Sequence, residues 1–136
     1  MDAAEMRRRF GGAPVARLST IRRDGRPHVV PVCFAVEDDV IVSVVDDKPK
    51  RTNHLRRIDN VRVHPAVSMI ADHYSDDWGE LWWVRADGRC AVVGDGAGHS
   101  HAIDLLAAKY AQYRARRPSG PVLQIDVTGW HAWSAS

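Results

Sequence analysis

Three short β-rich runs follow one another with only tight polar connections, and that succession limits what the chain can become. Val15-Ala16-Arg17-Leu18-Ser19-Thr20-Ile21 alternates loosely and ends at the turn signal Arg23-Asp24-Gly25. A second run, His28 to Glu37, turns at Glu37-Asp38-Asp39 into a third, Val40-Ile41-Val42-Ser43-Val44-Val45. Strands joined this closely pair antiparallel, because a parallel crossover needs a dozen or more residues. No β-α-β unit with a glycine-rich turn is present, which argues against a dinucleotide fold. Pro31 cannot donate to a ladder, so it is expected at a sheet edge or a bulge, where backbone can meet a ligand.

The flanking segments extend this pattern. Residues 2–10 place Ala3, Met6 and Phe10 at helical spacing, and Gly11-Gly12 is expected to end that helix. Asn53 to Ile58 suits an exposed helix of about two turns. Ala66 to His73 reads as a fourth strand, and Leu81 to Val93 as a fifth, broken near Asp87-Gly88. Ser100 is placed to cap a third helix whose Ile103, Leu106, Ala107 and Tyr110 share a face. Val122 to Trp133 closes the chain, with a bulge expected at Gly129. With 136 residues, 45% of them hydrophobic, one domain over residues 1–136 is expected. The predicted fold is mainly β: a six-stranded antiparallel barrel with about three short helices outside, since closure removes sheet edges.

Composition narrows function further. A net charge of +2 is too small to argue for nucleic acid, and the arginines are scattered. No apolar span is long enough for a membrane helix, and residues 1–9 lack the apolar segment of a signal peptide, so the expected location is the cytoplasm. Cys33 and Cys90 form no C-x-x-C pair and are expected to be buried, reduced thiols.

Asp46-Asp47-Lys48-Pro49-Lys50-Arg51-Thr52-Asn53 joins the third strand to a helix and sets three cations on the joint. Pro49 suits the first helical position. Free N–H groups at a helix start, the positive end of its dipole and basic side chains together favour an anion such as phosphate. The alternative is a solvated basic turn. Trp82 and Trp83 are neighbours on a strand and must leave on opposite faces, as must Trp130 and Trp133 unless Gly129 distorts the pleat. Only one of each pair can enter the core. The other needs a cover, and a dimer seam or a helix would supply it.

No Ser-His-Asp order, carboxylate pair or H-E-x-x-H helix emerges. His99 and His101 are expected to cap a helix or face solvent. Asp72, His73, Asp76 and Asp77 could be gathered round a divalent metal or form an acidic surface turn, and the second suits their spacing better. Any redox chemistry would therefore come from a bound cofactor.

The order Pro27-His28, Pro31-Val32, Phe34, Lys48-Pro49-Lys50, Leu55-Arg56-Arg57, Asp72-His73-Tyr74 and Asp77-Trp78, then Leu81-Trp82-Trp83-Val84-Arg85 and Gly88, resembles the pyridoxamine-phosphate-oxidase-like, FMN-binding split β-barrel family. Within it, the chain looks like the actinobacterial branch that uses the deazaflavin coenzyme F420. The resemblance runs from about Val15 to Trp133. It implies a homodimer with cofactor sites at the subunit seam, and hydride transfer from reduced F420 to a small-molecule acceptor. It implies phosphate contacts from Lys48, Lys50, Arg51 and Thr52. Ring contacts would come from Val30, Pro31, Val32 and Cys33 with Ser43 and Val44, and partner aromatics from Trp82 or Trp83 and Trp133. Arg56, Arg57, Arg114, Arg116 and Arg117 are candidates for the polyglutamate tail of F420, or are solvated helix ends. Tyr74 is the candidate proton donor, with packing as the other reading. Lys48-Pro49-Lys50 departs from the serine-arginine-lysine order of the flavin-phosphate oxidases, which puts pyridoxamine oxidation in doubt. An FMN enzyme of the same fold, and a carrier that binds F420, a flavin or a tetrapyrrole without turnover, remain the alternatives.

Overall fold

The computed structural model describes residues 1–45 and 51–136, with residues 51–55 described by their backbone. Asp46, Asp47, Lys48, Pro49 and Lys50, and with them most of the predicted phosphate joint, lie outside the described residues.

The hairpin signals produce the elements they announce. β1 (Ala16–Ile21) and β2 (Pro27–Val32) pair through the Arg22–Arg26 turn, where Gly25 at φ 91° supplies a backbone conformation that side chains disfavour. β3 (Ala35–Glu37) and β4 (Val40–Val44) form a second hairpin. β5 (Ala66–His73), β6 (Trp82–Val93) and β7 (Val122–Ser134) make a meander between them. The ladder order is β2-β1-β5-β6-β7-β4-β3, and every pair is antiparallel.

Two expectations change here. The described residues form seven strands, not six, and the ladder is not closed. Both differences come from Cys33 and Phe34, where the predicted second strand divides into β2 and β3. The Tyr110 hydroxyl accepts from Phe34 N at 3.0 Å and faces Phe34 O at 3.1 Å and Pro14 O at 2.9 Å. Ser43 Oγ donates to Cys33 O at 2.8 Å. Side chains have taken the bonding groups that a strand neighbour would use. Because β2 and β3 are the two ends of the ladder yet only two residues apart in sequence, the sheet must curl to bring its two end strands together at Cys33 and Phe34. Pro31 lies on the edge strand β2, as expected. Tyr110→Phe leaves Phe34 N without its acceptor and is expected to lower unfolding free energy by about 1–3 kcal/mol; a urea titration showing no change would remove Tyr110 from the seam.

The break expected near Asp87-Gly88 and the bulge expected at Gly129 are one irregularity. Asp87 pairs with Gly129 and Gly88 with Val127, so Thr128 is the extra residue. A Cβ on Gly88 would run into the Asp126 carbonyl oxygen and lie 2.9 Å from Ile125 Cγ2, so only glycine allows β7 to come this close.

Helices cover the curl. α1 (Ala3–Gly12) continues through both glycines that were expected to end it, and inserts the fully buried Phe10 beside Phe34 and Trp130. α2 (Arg51–Val63) has 13 residues, longer than the two turns expected. α3 (Ala97–Lys109) begins before Ser100: Gly96, at φ 140°, is its N-cap, which corrects the expected cap. A short α4 (Ala111–Ala115) follows, and a 3₁₀ turn spans Trp78–Glu80. The main core gathers Phe10, Leu18, Phe34, Met69 and Ile125 inside the curl, while Val42, Val44 and Val122 form a second cluster under Ile103 and Leu106 of α3. No described helix is long and apolar enough to cross a membrane.

Candidate functional site

β4 explains why its sequence is an unbroken apolar run. Ile41 and Val45 enter the main core, whereas Val42 and Val44 pack beneath α3, so both faces are covered. Of the residues expected to touch a cofactor ring, Val32, Ser43 and Val44 are therefore buried within the chain's own fold, Val30 packs on the core and Cys33 is half-buried. Pro31 is exposed. Arg51 and Thr52 open α2, and Lys48 and Lys50 lie outside the described residues.

The outer face of the sheet collects the other candidates. Even-numbered positions of β6 point inward, and Trp82 accordingly packs on the core, stacked on His73 at 6.2 Å with the Arg9 guanidinium 5.7 Å from its ring. Trp83 faces outward, directly opposite Trp133, which is 48% exposed. Trp130 turns inward against Phe10, so each tryptophan pair divides between faces as expected. Beside Trp83 and Trp133 lies a polar network. Asp87 accepts from Arg85 Nε at 2.9 Å and Ser68 Oγ at 2.7 Å, with His131 Nε2 at 3.4 Å. Burial would raise the Asp87 carboxyl, but the hydrogen bonds from Arg85 and Ser68 and the nearby positive charges hold it below the usual carboxylate range.

A second region was only partly visible in the sequence. Asn60 Nδ2 donates to Thr20 Oγ1 at 3.0 Å, which fixes the end of α2 against β1. Arg56 and Arg57 precede Asn60 by one helical turn and share its side. Arg22 follows Thr20 by two residues, and His28 is the register partner of Thr20 on β2. Three buried nitrogens here, Arg22 Nε, His28 Nδ1 and Arg57 Nε, have no hydrogen-bond partner among the described residues. Burial and then the charges of Arg22, Arg56 and Arg57 hold His28 below the ordinary histidine value. Burial also pushes the Arg57 guanidinium down. An open cleft of about 420 Å³, lined by Arg22, Arg56 and Asn60 together with the acids Asp24 and Asp59, shares Arg22 with this group. Arg56 and Arg57 are candidates from sequence alone, whereas Arg22 and His28 gain a role only through the register and the Asn60 contact that bring them together.

Other candidates have local partners. Arg114 Nη1 donates to Ala107 O and Ala108 O, closing the end of α3, and Arg117 binds Asp104 at 2.7 Å. Asp72 faces Arg17 at 3.3 Å. Tyr74 is 67% exposed, so it does not pack. His99 is buried with Nε2 2.7 Å from Gly120 O, against the expectation of a cap or solvent position, while His101 is exposed and meets Glu37. Cys90 is buried and its thiol is pushed up to about 12, chiefly by burial. Both cysteines are free, but Cys33 is only half-buried.

A seven-stranded antiparallel sheet whose two end strands are joined through Cys33 and Phe34, with helices packed on it, is an arrangement shared with known proteins. The family model described as pyridoxamine 5'-phosphate oxidase matches residues 3–134. The chain belongs to the pyridoxamine 5'-phosphate oxidase family. Its structure is similar to that of a conserved hypothetical protein from Mycobacterium tuberculosis, with TM-score 0.80 and 19% identity over 99% of this chain and 86% of that one. It is also similar to a FAD-binding protein from Mesorhizobium loti, with TM-score 0.72 and 22% identity over 97% and 94%. A heme storage protein from Vibrio cholerae aligns with TM-score 0.72 and 14% identity over 96% and 90%. No curated protein matches the sequence. At these identities the structural likenesses speak for the fold shared across the pyridoxamine 5'-phosphate oxidase family, not for an activity.

Proposed function

We propose that this protein is an F420-dependent reductase, which seats the anionic chain of coenzyme F420 in the cleft beside α2 and reduces a small organic acceptor. The observation that carries this reading is the set of buried, unpartnered nitrogens on Arg22, His28 and Arg57. A buried guanidinium nitrogen without a partner is costly, and a fold that keeps two such Nε atoms, on the half-buried Arg22 and Arg57, is suited to an anion that arrives with a ligand. F420 brings a phosphodiester and several carboxylates, FMN only one phosphate. Arg22 and Arg56 on the cleft and Arg62 further along α2, with Arg57 next to Arg56 in the helix, offer more positive charge than a single phosphate uses. The FAD-binding and heme storage proteins of similar fold support a flat conjugated ring as the rest of the ligand.

Reduced F420 supplies a hydride. The chain's own task is to anchor the anionic end, hold the ring against exposed Pro31 and keep water away. A second copy seated on the outer face would cover Val29, Ile70 and Trp133, which are 60%, 36% and 48% exposed, and would bring Trp82 or Trp83 and Trp133 toward the ring. Lys48, Lys50, Arg51 and Thr52 supply the phosphate contacts in this reading.

The test is to incubate the purified protein with F420 and with FMN, pass each mixture through a desalting column and record absorbance. Retention of F420 but not FMN is expected, followed by oxidation of reduced F420 when enones, quinones or nitroaromatics are added. Tight FMN retention without F420 would overturn the choice of cofactor. Retained F420 that no acceptor oxidises would make the protein a carrier.

A further inference from the structure

We infer that the cleft between the β1–β2 turn and α2 is a proton-coupled oxyanion site, in which a sulfate, phosphate or carboxylate group seated against Arg22 and Arg57 enters together with a proton taken up by His28. This depends on the cleft being an anion site, and does not depend on F420 being the cofactor.

The geometry is set by three elements. β2 presents His28 opposite Thr20 of β1, α2 is fixed to Thr20 through Asn60, and the turn returns Arg22 to the same side. Two acids line the cleft, and each is ion-paired: Asp24 receives Arg26 Nε at 3.0 Å and Asp59 receives Arg23 Nη2 at 2.9 Å. The groups acting on His28 are therefore Arg22 from the turn and Arg56 and Arg57 from α2, all of one sign. Without an anion, burial and these three charges hold the imidazole neutral further down the pH scale than usual. An anion reverses the balance, because it offsets the guanidinium charges and gives Nδ1 an acceptor. His28 then binds a proton that it would otherwise lack.

The sign follows from linkage. Between the lower value of the empty site and the higher value of the filled one, each unit fall in pH tightens anion binding by up to about tenfold. Above the filled value the affinity is low and flat. Below the empty value it is high and flat.

Sulfate is the probe, since it stays a dianion throughout. Calorimetric titration from roughly pH 8 to 5, at fixed ionic strength so that screening is constant, is expected to show binding that tightens as pH falls. Repeating it in buffers of different ionisation heat should show uptake approaching one proton. His28→Asn is expected to bind sulfate with a flat pH profile. On the unaltered protein, the imidazole NMR titration of His28 should move to higher pH when sulfate is added, which decides the matter if the variant does not fold. Displacement of sulfate by F420 would assign the cleft to the coenzyme's anionic chain, and simultaneous binding would assign it to a free oxyanion. Sulfate binding without F420 binding would sink the reductase and leave this site standing. No sulfate binding at any pH, a slope that persists in His28→Asn, or an unmoved His28 titration would each overturn the inference.

Discussion

Phe10→Ala is expected to lower unfolding free energy by about 3–5 kcal/mol and the melting temperature by roughly 10–15 °C. Phe10 is fully buried, with its ring centroid 4.9 Å from that of Phe34 and 5.4 Å from that of Trp130 in an edge contact. Truncation removes the transfer energy of a whole aromatic side chain and leaves a cavity where three elements meet. α1 has Phe10 as its one buried residue, so the helix itself loses its anchor. Urea unfolding followed by tryptophan fluorescence reports the change directly, because Trp130 borders the cavity. A loss under about 1 kcal/mol would mean that α1 contributes little to the core.

The second large effect separates binding from stability. Arg57→Met is expected to weaken F420 binding by about 1.5–3 kcal/mol, or roughly 10- to 150-fold in Kd, the scale of a hydrogen bond to a charged partner. The same substitution should leave the melting temperature unchanged or raise it, because it replaces a half-buried guanidinium whose Nε has no partner with an apolar chain of similar length. A structural arginine would behave in the opposite way, with a lower melting temperature and unaltered affinity. Fluorescence titration with F420 beside a thermal melt distinguishes the two.

What was legible in the sequence was local. The Arg23-Asp24-Gly25 turn, the β4 run and the division of the tryptophans each depend on neighbours along one strand. Gly88 and Gly129 were read separately, and the register joins them into one bulge. What was not legible depends on distant partners. Phe34 leaves the ladder because Tyr110, 76 residues later, takes its bonding groups. The length of α2 was hidden because a polar pair, Asn60 with Thr20, helps to hold an arginine-rich helix that has few apolar residues. Arg22 and His28 were missed for a related reason: Arg22 belongs to no motif, His28 carried no role within its Pro27-His28 pair, and the register and that same Asn60 contact bring them beside Arg57.

The strand order also bears on how the molecule is made. β1 waits for β5, and β4 waits for β7, so the two N-terminal hairpins have no common neighbour until the meander has been synthesised. A nascent chain stalled before Tyr110 carries two separate ribbons with Phe34 unclasped between them. Until the C-terminal third emerges from the ribosome, β4 offers an open edge to any passing strand, and chaperone demand should peak in that interval.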